Sequence, residues 1–307
     1  MVGLGQCCWD QVGLVEQWPH PDAKTELLAS CEQAGGPVAT ALVTLARLGV
    51  RTAFFGAVGG DEAGRLIRWS LVAEGVDCRL LQVDPEGESQ RAWVIADRTT
   101  GKRNIFWKRG ARRPFHLTDE TAELIAAAKV LLLDDLDFDA ALAAARAARE
   151  AGVTTVLDGG SLRPRTAELL PLIDHLVVSE KFARQWTGRP EPPAALEPLA
   201  AFGGTVTVTA GAEGCWSLLA GEVIHQPAFG VDVIDTTGCG DVFHGGYVFG
   251  LLQAWPLPAV LAFASACAAL KARGLGGQAA IAGLDETLRF LARETGDIRW
   301  TTLRITE

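Results

Sequence analysis

Asp235-Thr236-Thr237-Gly238-Cys239-Gly240-Asp241 is the stretch that decides how this chain is read. It opens onto Val242-Phe243-His244-Gly245-Gly246-Tyr247-Val248-Phe249-Gly250-Leu251-Leu252, a long apolar pattern that reads as a buried helix. A glycine-rich turn at a helix N-terminus points unpaired backbone N–H groups and the positive end of the helix dipole at one place. The usual occupant of such a place is an anion, most often a phosphate. Asp241 falls in the first turn of that helix. A lone first-turn acid complements the dipole and implies no chemistry. Beside a cluster of phosphate donors it can also accept the proton of an attacking hydroxyl. Asp235, six residues upstream with two threonines between, makes the combination more specific than either acid alone.

Outward from this segment the chain is soluble in character. Its 307 residues are 49% hydrophobic and 21% charged, enough apolar material for a large core and too much for a disordered chain. Lys+Arg number 28 against 37 Asp+Glu, a net charge of −9. That balance removes the long-range attraction to nucleic-acid phosphates or anionic lipid, so neither is expected as a partner. The seven cysteines, Cys7 and Cys8 adjacent and the rest scattered, form neither a disulfide framework nor a Cys-x-x-Cys metal spacing. A reduced, cytoplasmic protein is expected. The longest apolar run, Leu257 to Leu270, is broken by Pro258 and Ser265 and is too short for a membrane span, and no signal-peptide pattern follows Met1. His20, His116, His175, His225 and His244 are too dispersed for a zinc set. Gly3-Leu4-Gly5 starts a dinucleotide-type glycine pattern but meets Cys8, and Gly101-Lys102 is followed by Arg103, which rules out a P-loop.

Strand-length apolar stretches at Val2–Gly5, Thr52–Val58, Val130–Leu133, Thr154–Leu157, His175–Val178 and Thr205–Thr209 alternate with amphipathic runs at Val38–Leu48, Ala63–Ala73, Ala140–Arg149 and Lys181–Trp186. This rhythm predicts α/β architecture, a three-layer α/β/α domain on a mostly parallel sheet. Two segments break it. Gln11–Ser30 and Gln90–Lys108 carry Trp18, Trp93, Phe106 and Trp107 without helical periodicity, and the second reads as a hairpin around Asp97–Lys102. They are expected to be antiparallel strands added to the main sheet, either a surface hairpin or a small sheet covering a ligand site.

Asp235–Asp241 resembles the D-T-T-G-A-G-D signature of the ribokinase-like (PfkB) carbohydrate kinases, with Cys239 in place of the usual Ala. Gly35-Gly36-Pro37-Val38-Ala39-Thr40, Gly56-Ala57-Val58-Gly59-Gly60-Asp61-Glu62-Ala63-Gly64 and Val208-Thr209-Ala210-Gly211-Ala212-Glu213-Gly214 resemble further motifs of that family, in the family's order. The resemblance spans nearly the whole chain. It implies a single ribokinase-like domain over 1–307 with a β lid from about 11–34 and 88–109. It also implies ATP and Mg²⁺ as cofactors, with K⁺ a further candidate.

Site roles follow from the resemblance residue by residue. Asp241 is the implied general base, and the backbone of Gly238, Cys239 and Gly240 the implied anion hole for the γ-phosphate. Asp10, Gly35, Gly36 and Thr40 would bind the sugar, and Lys24 would reach it from the lid. Thr209, Gly211, Gly214 and Ser179 would face the nucleotide. Asp235 and Thr237 match positions that bind a monovalent cation, and Glu180 stands near a position that organises Mg²⁺ through water. Phe182 replaces a family Glu there, and Thr40 replaces a family Asn.

The subgroup of closest resemblance is that of the sulfofructose kinases, with Asp137 where that subgroup carries an Arg that contacts the sulfonate. The implied activity is transfer of the ATP γ-phosphate to a hydroxyl of a small sugar or sugar derivative, under a lid that excludes water. A nucleoside kinase of the same fold and a catalytically silent sugar-binding regulator are the alternatives. A homodimer through the lid is expected from its exposed strands.

Overall fold

The computed structural model describes residues 1–302, so the last five positions of the expected 1–307 domain lie outside the described residues. The chain opens with β1 (Val2–Leu4), β2 (Cys8–Val15) and β3 (Ala29–Gly35), which leads into α1 (Pro37–Arg47). β4 (Ala53–Phe55), β5 (Ala57–Gly59), α2 (Glu62–Ala73), β6 (Gln82–Asp84), β7 (Arg91–Asp97) and β8 (Arg103–Lys108) follow. Alternation then sets in: α3 (Asp119–Ala126), β9 (Val130–Asp134), α4 (Phe138–Ala151), β10 (Thr154–Gly159), α5 (Thr166–Leu169), β11 (His175–Ser179), α6 (Glu180–Thr187), α7 (Pro192–Ala200) and β12 (Thr205–Thr209). The hairpin β13 (Cys215–Leu219) and β14 (Glu222–Gln226) precedes α8 (Cys239–Leu252), α9 (Leu257–Lys271) and α10 (Leu284–Thr295).

Eight strands form the main sheet in the order β14-β13-β12-β11-β10-β9-β1-β4. From β4 to β12 every pairing is parallel, and β13 and β14 add antiparallel strands at one edge. Both faces of the central strands are apolar because both are covered. On β9, Leu132 packs with α1, α8 and α9 side chains, whereas Leu131 and Leu133 pack on the opposite side with Ala141, Ala144 and Ala145 of α4. Val156 against Leu157, and Val177 against Leu176 and Val178, repeat that division one strand at a time. The expected three-layer α/β/α architecture is observed.

Two expectations are corrected. The stretch Thr52–Val58 is not one strand: Ala53–Phe55 joins the main sheet, and Ala57–Gly59 pairs with β6 instead. The break falls at Gly56, where a side chain would stand 2.8 Å from Gly5 O, so the backbone crosses there too closely for a residue with a Cβ. The lid strands are likewise not an addition to the main sheet. They form a separate four-stranded sheet, β3-β2-β7-β8, in which β2 and β7 run parallel and only the outer pairs are antiparallel. The hairpin halves come from distant parts of the chain, and antiparallel reading of each half alone gives no sign of how the halves meet. β3 and β8 are its edges, and Ile105, Phe106 and Trp107 of β8 are exposed.

Helix α8 carries the site and is an unusual helix, with Gly245, Gly246 and Gly250 in its body. Glycine costs helix stability, yet each sits where another helix presses in. A Cβ on Gly245 would meet Thr44 of α1 at 2.6 Å, and one on Gly246 would meet Ala264 of α9 at 2.9 Å. Close packing between α1 and α9 thus fixes where the N-terminus of α8 points.

Candidate active site

The turn before α8 is built to leave donors open. Gly238 is left-handed (φ 76°), and no side chain caps the first helical turn. A Cβ there would stand 2.7 Å from Gly277 Cα, so the position needs glycine for space as well as for conformation. The Cys239 N–H donates to Thr236 O at 3.2 Å and the Val242 N–H to Gly238 O at 2.9 Å. The N–H groups of Gly240 and Asp241 have no backbone partner among the described residues, and open space surrounds Gly240. Cys239 therefore contributes its place in the turn more than its N–H, and Gly240 and Asp241 present the donors.

The loop is held rigid from below. Asp235 is fully buried; its Oδ1 accepts from the Thr237 N–H (2.8 Å) and Thr237 Oγ1 (2.7 Å), and its Oδ2 from the Gly276 N–H (2.8 Å). Lys271, also fully buried, donates from Nζ to Asp235 O at 2.7 Å. From above, the lid reaches down: Arg103 Nη1 of β8 donates to Thr236 Oγ1 (3.0 Å), which donates to Gly101 O (3.1 Å).

Asp241 sits among buried acids. Burial pushes its carboxyl up to about 7, with the Asp158 charge adding to the shift and His244 and Arg103 opposing it. Asp158, at the end of β10, is raised as well, chiefly by burial. Beside it stands His244, one turn along α8 from Asp241: Nδ1 lies 3.3 Å from Asp158 Oδ2, an atom with no hydrogen-bond partner among the described residues, and 2.8 Å from Gly240 O, and Nε2 lies 3.1 Å from Val177 O. The ring thus ties the start of α8 to the carboxyl ends of two central strands.

On the lid side, Asp10 of β2 is buried, and burial pushes its carboxyl up to about 6 against the hydrogen bond from Cys8 Sγ (2.9 Å), which lowers it. Gly35 lies under it, and a Cβ there would collide with Asp10 Oδ2. Gln33, the cross-strand partner of Asp10, shares its face of the sheet. Its Oε1 accepts from the Gln278 N–H (3.2 Å), while its Nε2 is buried without a hydrogen-bond partner. A buried donor of this kind is costly unless something meets it. Gln33 therefore offers a donor beside Asp10 that sequence reading did not single out.

Other expected residues are placed differently. The Thr40 side chain is buried, and its Oγ1 accepts from Gln278 Nε2 (3.2 Å), so it fixes Gln278 against α1. Gly36 (φ 104°) turns the chain into α1. Lys24 lies on the exposed connection between β2 and β3. Asp137 is not a bare acid: Arg112 Nη2 pairs with it at 3.0 Å, and both side chains are mostly buried. The acid that stands in place of the subgroup's Arg is thus answered locally, by an arginine from a different segment.

Thr209 ends β12, and Gly211 (φ 55°) and Gly214 (φ 90°) shape the turn into β13. A Cβ on Gly214 would strike Gln226 O, whereas Gly211 faces open space. Ser179 is committed as the N-cap of α6: its Oγ accepts from the Phe182 N–H (3.1 Å) and donates to Gly160 O (2.9 Å). Glu180 beside it is exposed. Phe182 is fully buried and stacks on Trp186, a core role that accounts for the missing acid at that position.

The profile of the pfkB family of carbohydrate kinases matches residues 2–282. The chain is 29% identical to a ribokinase of Haemophilus influenzae over 84% of its own length and 87% of that protein's. Among solved structures, an Agrobacterium tumefaciens protein provisionally assigned as a ribokinase superposes with a TM-score of 0.89 at 28% identity, covering 96% of this chain and 98% of that one. Ribokinase of Arabidopsis thaliana, solved with ribose and ATP, superposes with a TM-score of 0.82 at 26% identity, over 94% and 97%.

Proposed function

Because this chain belongs to the pfkB family of carbohydrate kinases, we propose that it transfers the γ-phosphate of ATP to a hydroxyl of a small sugar or sugar derivative. One observation carries the reading: a carboxylate with a raised pKa, Asp241, stands in the same helical turn as two N–H groups that nothing else in the described chain engages. The Gly240 and Asp241 N–H groups would hold the phosphoryl oxygens, and Asp241 would take the proton from the acceptor hydroxyl as it attacks. Phosphoryl transfer rests on positioning and charge neutralisation more than on covalent chemistry, and this arrangement supplies both. Asp10 and the spare Gln33 amide would bind acceptor hydroxyls on the lid side.

The nucleotide would lie over the turn Thr209–Gly214, where open space at Gly211 leaves backbone accessible. Magnesium arrives with the triphosphate and neutralises its charge. The exposed Glu180 carboxylate suits a water of its hydration shell, and the capped Ser179 hydroxyl does not.

The test is ADP formation over a panel of ribose, fructose, sulfofructose, ribose 1-phosphate and nucleosides, with thermal stabilisation recorded alongside. Turnover on a sugar supports the reading. Turnover confined to nucleosides moves the acceptor to that class, and stabilisation by a sugar with no ADP formed makes the protein a binder without catalysis.

A further inference from the structure

The residues that resemblance assigns to a monovalent cation are already occupied by the protein's own groups. Asp235 spends both carboxylate oxygens on three donors, the Thr237 N–H, Thr237 Oγ1 and the Gly276 N–H, at 2.7 to 2.8 Å. Its carbonyl oxygen accepts from Lys271 Nζ at 2.7 Å, and Gly274 O lies 3.5 Å from the same nitrogen. Lys271 has no exposed surface. An ammonium is taken out of water only where its charge and its protons find partners. Burial lowers the Lys271 pKa from the ordinary lysine value, and the two carbonyl oxygens and the nearby charges of Asp235 and Asp241 act against that loss.

Two separate segments meet there: the Ile234 and Asp235 N–H groups both donate to Ala272 O, at 2.8 and 3.2 Å, so the irregular segment entering the loop is stitched to the turn after α9. A single positive charge at that seam holds the loop and offsets the acids around the phosphoryl site. An ammonium group and a potassium ion have the same charge and closely similar size, so one can stand in for the other. Both together cannot: an ion at the Asp235 carbonyl would touch the Lys271 ammonium, and like charges at contact repel strongly away from water.

We propose that the Lys271 ammonium, seated on the Asp235 and Gly274 carbonyls behind the phosphate loop, is a built-in monovalent cation that makes this protein independent of potassium. K⁺ is thus not a cofactor of this chain, contrary to what the resemblance implies. The catalytic consequence rests on the kinase reading above; the occupation of the site does not.

Two measurements test it at constant ionic strength, with KCl exchanged for the chloride of tetramethylammonium, a cation too large for the site. In the first, the melting temperature of the wild-type protein is the same in both salts, and that of Lys271→Met is lower in tetramethylammonium and recovers specifically in K⁺ or NH₄⁺. In the second, wild-type phosphoryl transfer differs by less than twofold between the salts, while Lys271→Met loses at least tenfold and regains a large part with K⁺ or NH₄⁺. A K⁺-specific rise in the wild-type melting temperature, or a tenfold K⁺ activation of the wild-type rate, overturns the proposal. So does a folded Lys271→Met that responds to no cation. Should Lys271→Met fail to fold in either salt, the wild-type arms decide alone. Should no acceptor be turned over, the melting arm still decides, so failure of the kinase reading is seen separately.

Discussion

Replacing Asp241 with Asn lowers kcat by ~10²–10⁴-fold, the range for loss of a general base, while ATP binds as before. The amide has the carboxylate's shape but cannot take a proton, and the phosphate donors are backbone groups that the substitution leaves in place. The same residue sets a pH dependence. A base acts in its ionised form, and burial raises this carboxyl to about 7. Wild-type kcat/KM therefore climbs with pH through neutrality and then levels, and that limb is absent from the residual activity of Asp241→Asn.

Stability moves the other way. A carboxyl whose folded pKa lies above its unfolded value of 3.8 holds its proton more tightly when folded. Its cost is absent below that value, grows as pH rises, and is complete above the folded pKa. Asp241→Asn accordingly melts higher than the wild type at pH 8 and equally near pH 3.5. Near-wild-type turnover in the variant, with an unchanged pH profile, removes Asp241 from the role.

Replacing Asp10 with Ala raises the KM for the acceptor ~10²-fold or more and changes kcat and the KM for ATP far less. Charge-assisted hydrogen bonds contribute about 1.5–3 kcal/mol each, and a carboxylate between two sugar hydroxyls makes two of them. Gly35→Ala reproduces much of this effect without touching the carboxylate chemically, because its methyl group lands on Asp10 Oδ2 and drives the side chain out of place. Steady-state kinetics with the acceptor varied at saturating ATP reads both. An acceptor KM unchanged in Asp10→Ala sinks the assignment.

The parts legible in the sequence were those written in local pattern. The βα alternation showed because parallel strands covered on both faces are apolar at successive positions, as in Val130–Leu133. The phosphate turn showed because Gly238 and Gly240 carry its geometry in their own side-chain absence. What stayed hidden depended on partners far along the chain. Asp137 showed only as an acid in the place of a subgroup Arg, because Arg112, its partner, is 25 residues away. Lys271, just past the apolar run Leu257–Leu270, drew no reading from the sequence, because its acceptor carbonyl on Asp235 is 36 residues away.

The parallel pairing of β2 with β7 was hidden for the same reason, since no local signal joins Trp9–Val15 to Arg91–Asp97. Gln33 illustrates a signal that was available: it stands two residues before Gly35 on a strand where alternate side chains share a face. A strand residue on the same face as Gly35, the glycine proposed to bind the sugar, was a candidate from spacing alone.

The central claim is that one helical turn both holds the transferred phosphoryl group and deprotonates its acceptor. A crystal structure with a nonhydrolysable ATP analogue and the acceptor identified by turnover tests it most directly. The account predicts γ-phosphate oxygens on the Gly240 and Asp241 N–H groups and an acceptor hydroxyl ~3 Å from the Asp241 carboxylate, in line with the γ-phosphorus. A ternary complex with the γ-phosphate bound away from that turn, or with the acceptor hydroxyl on another base, would contradict it.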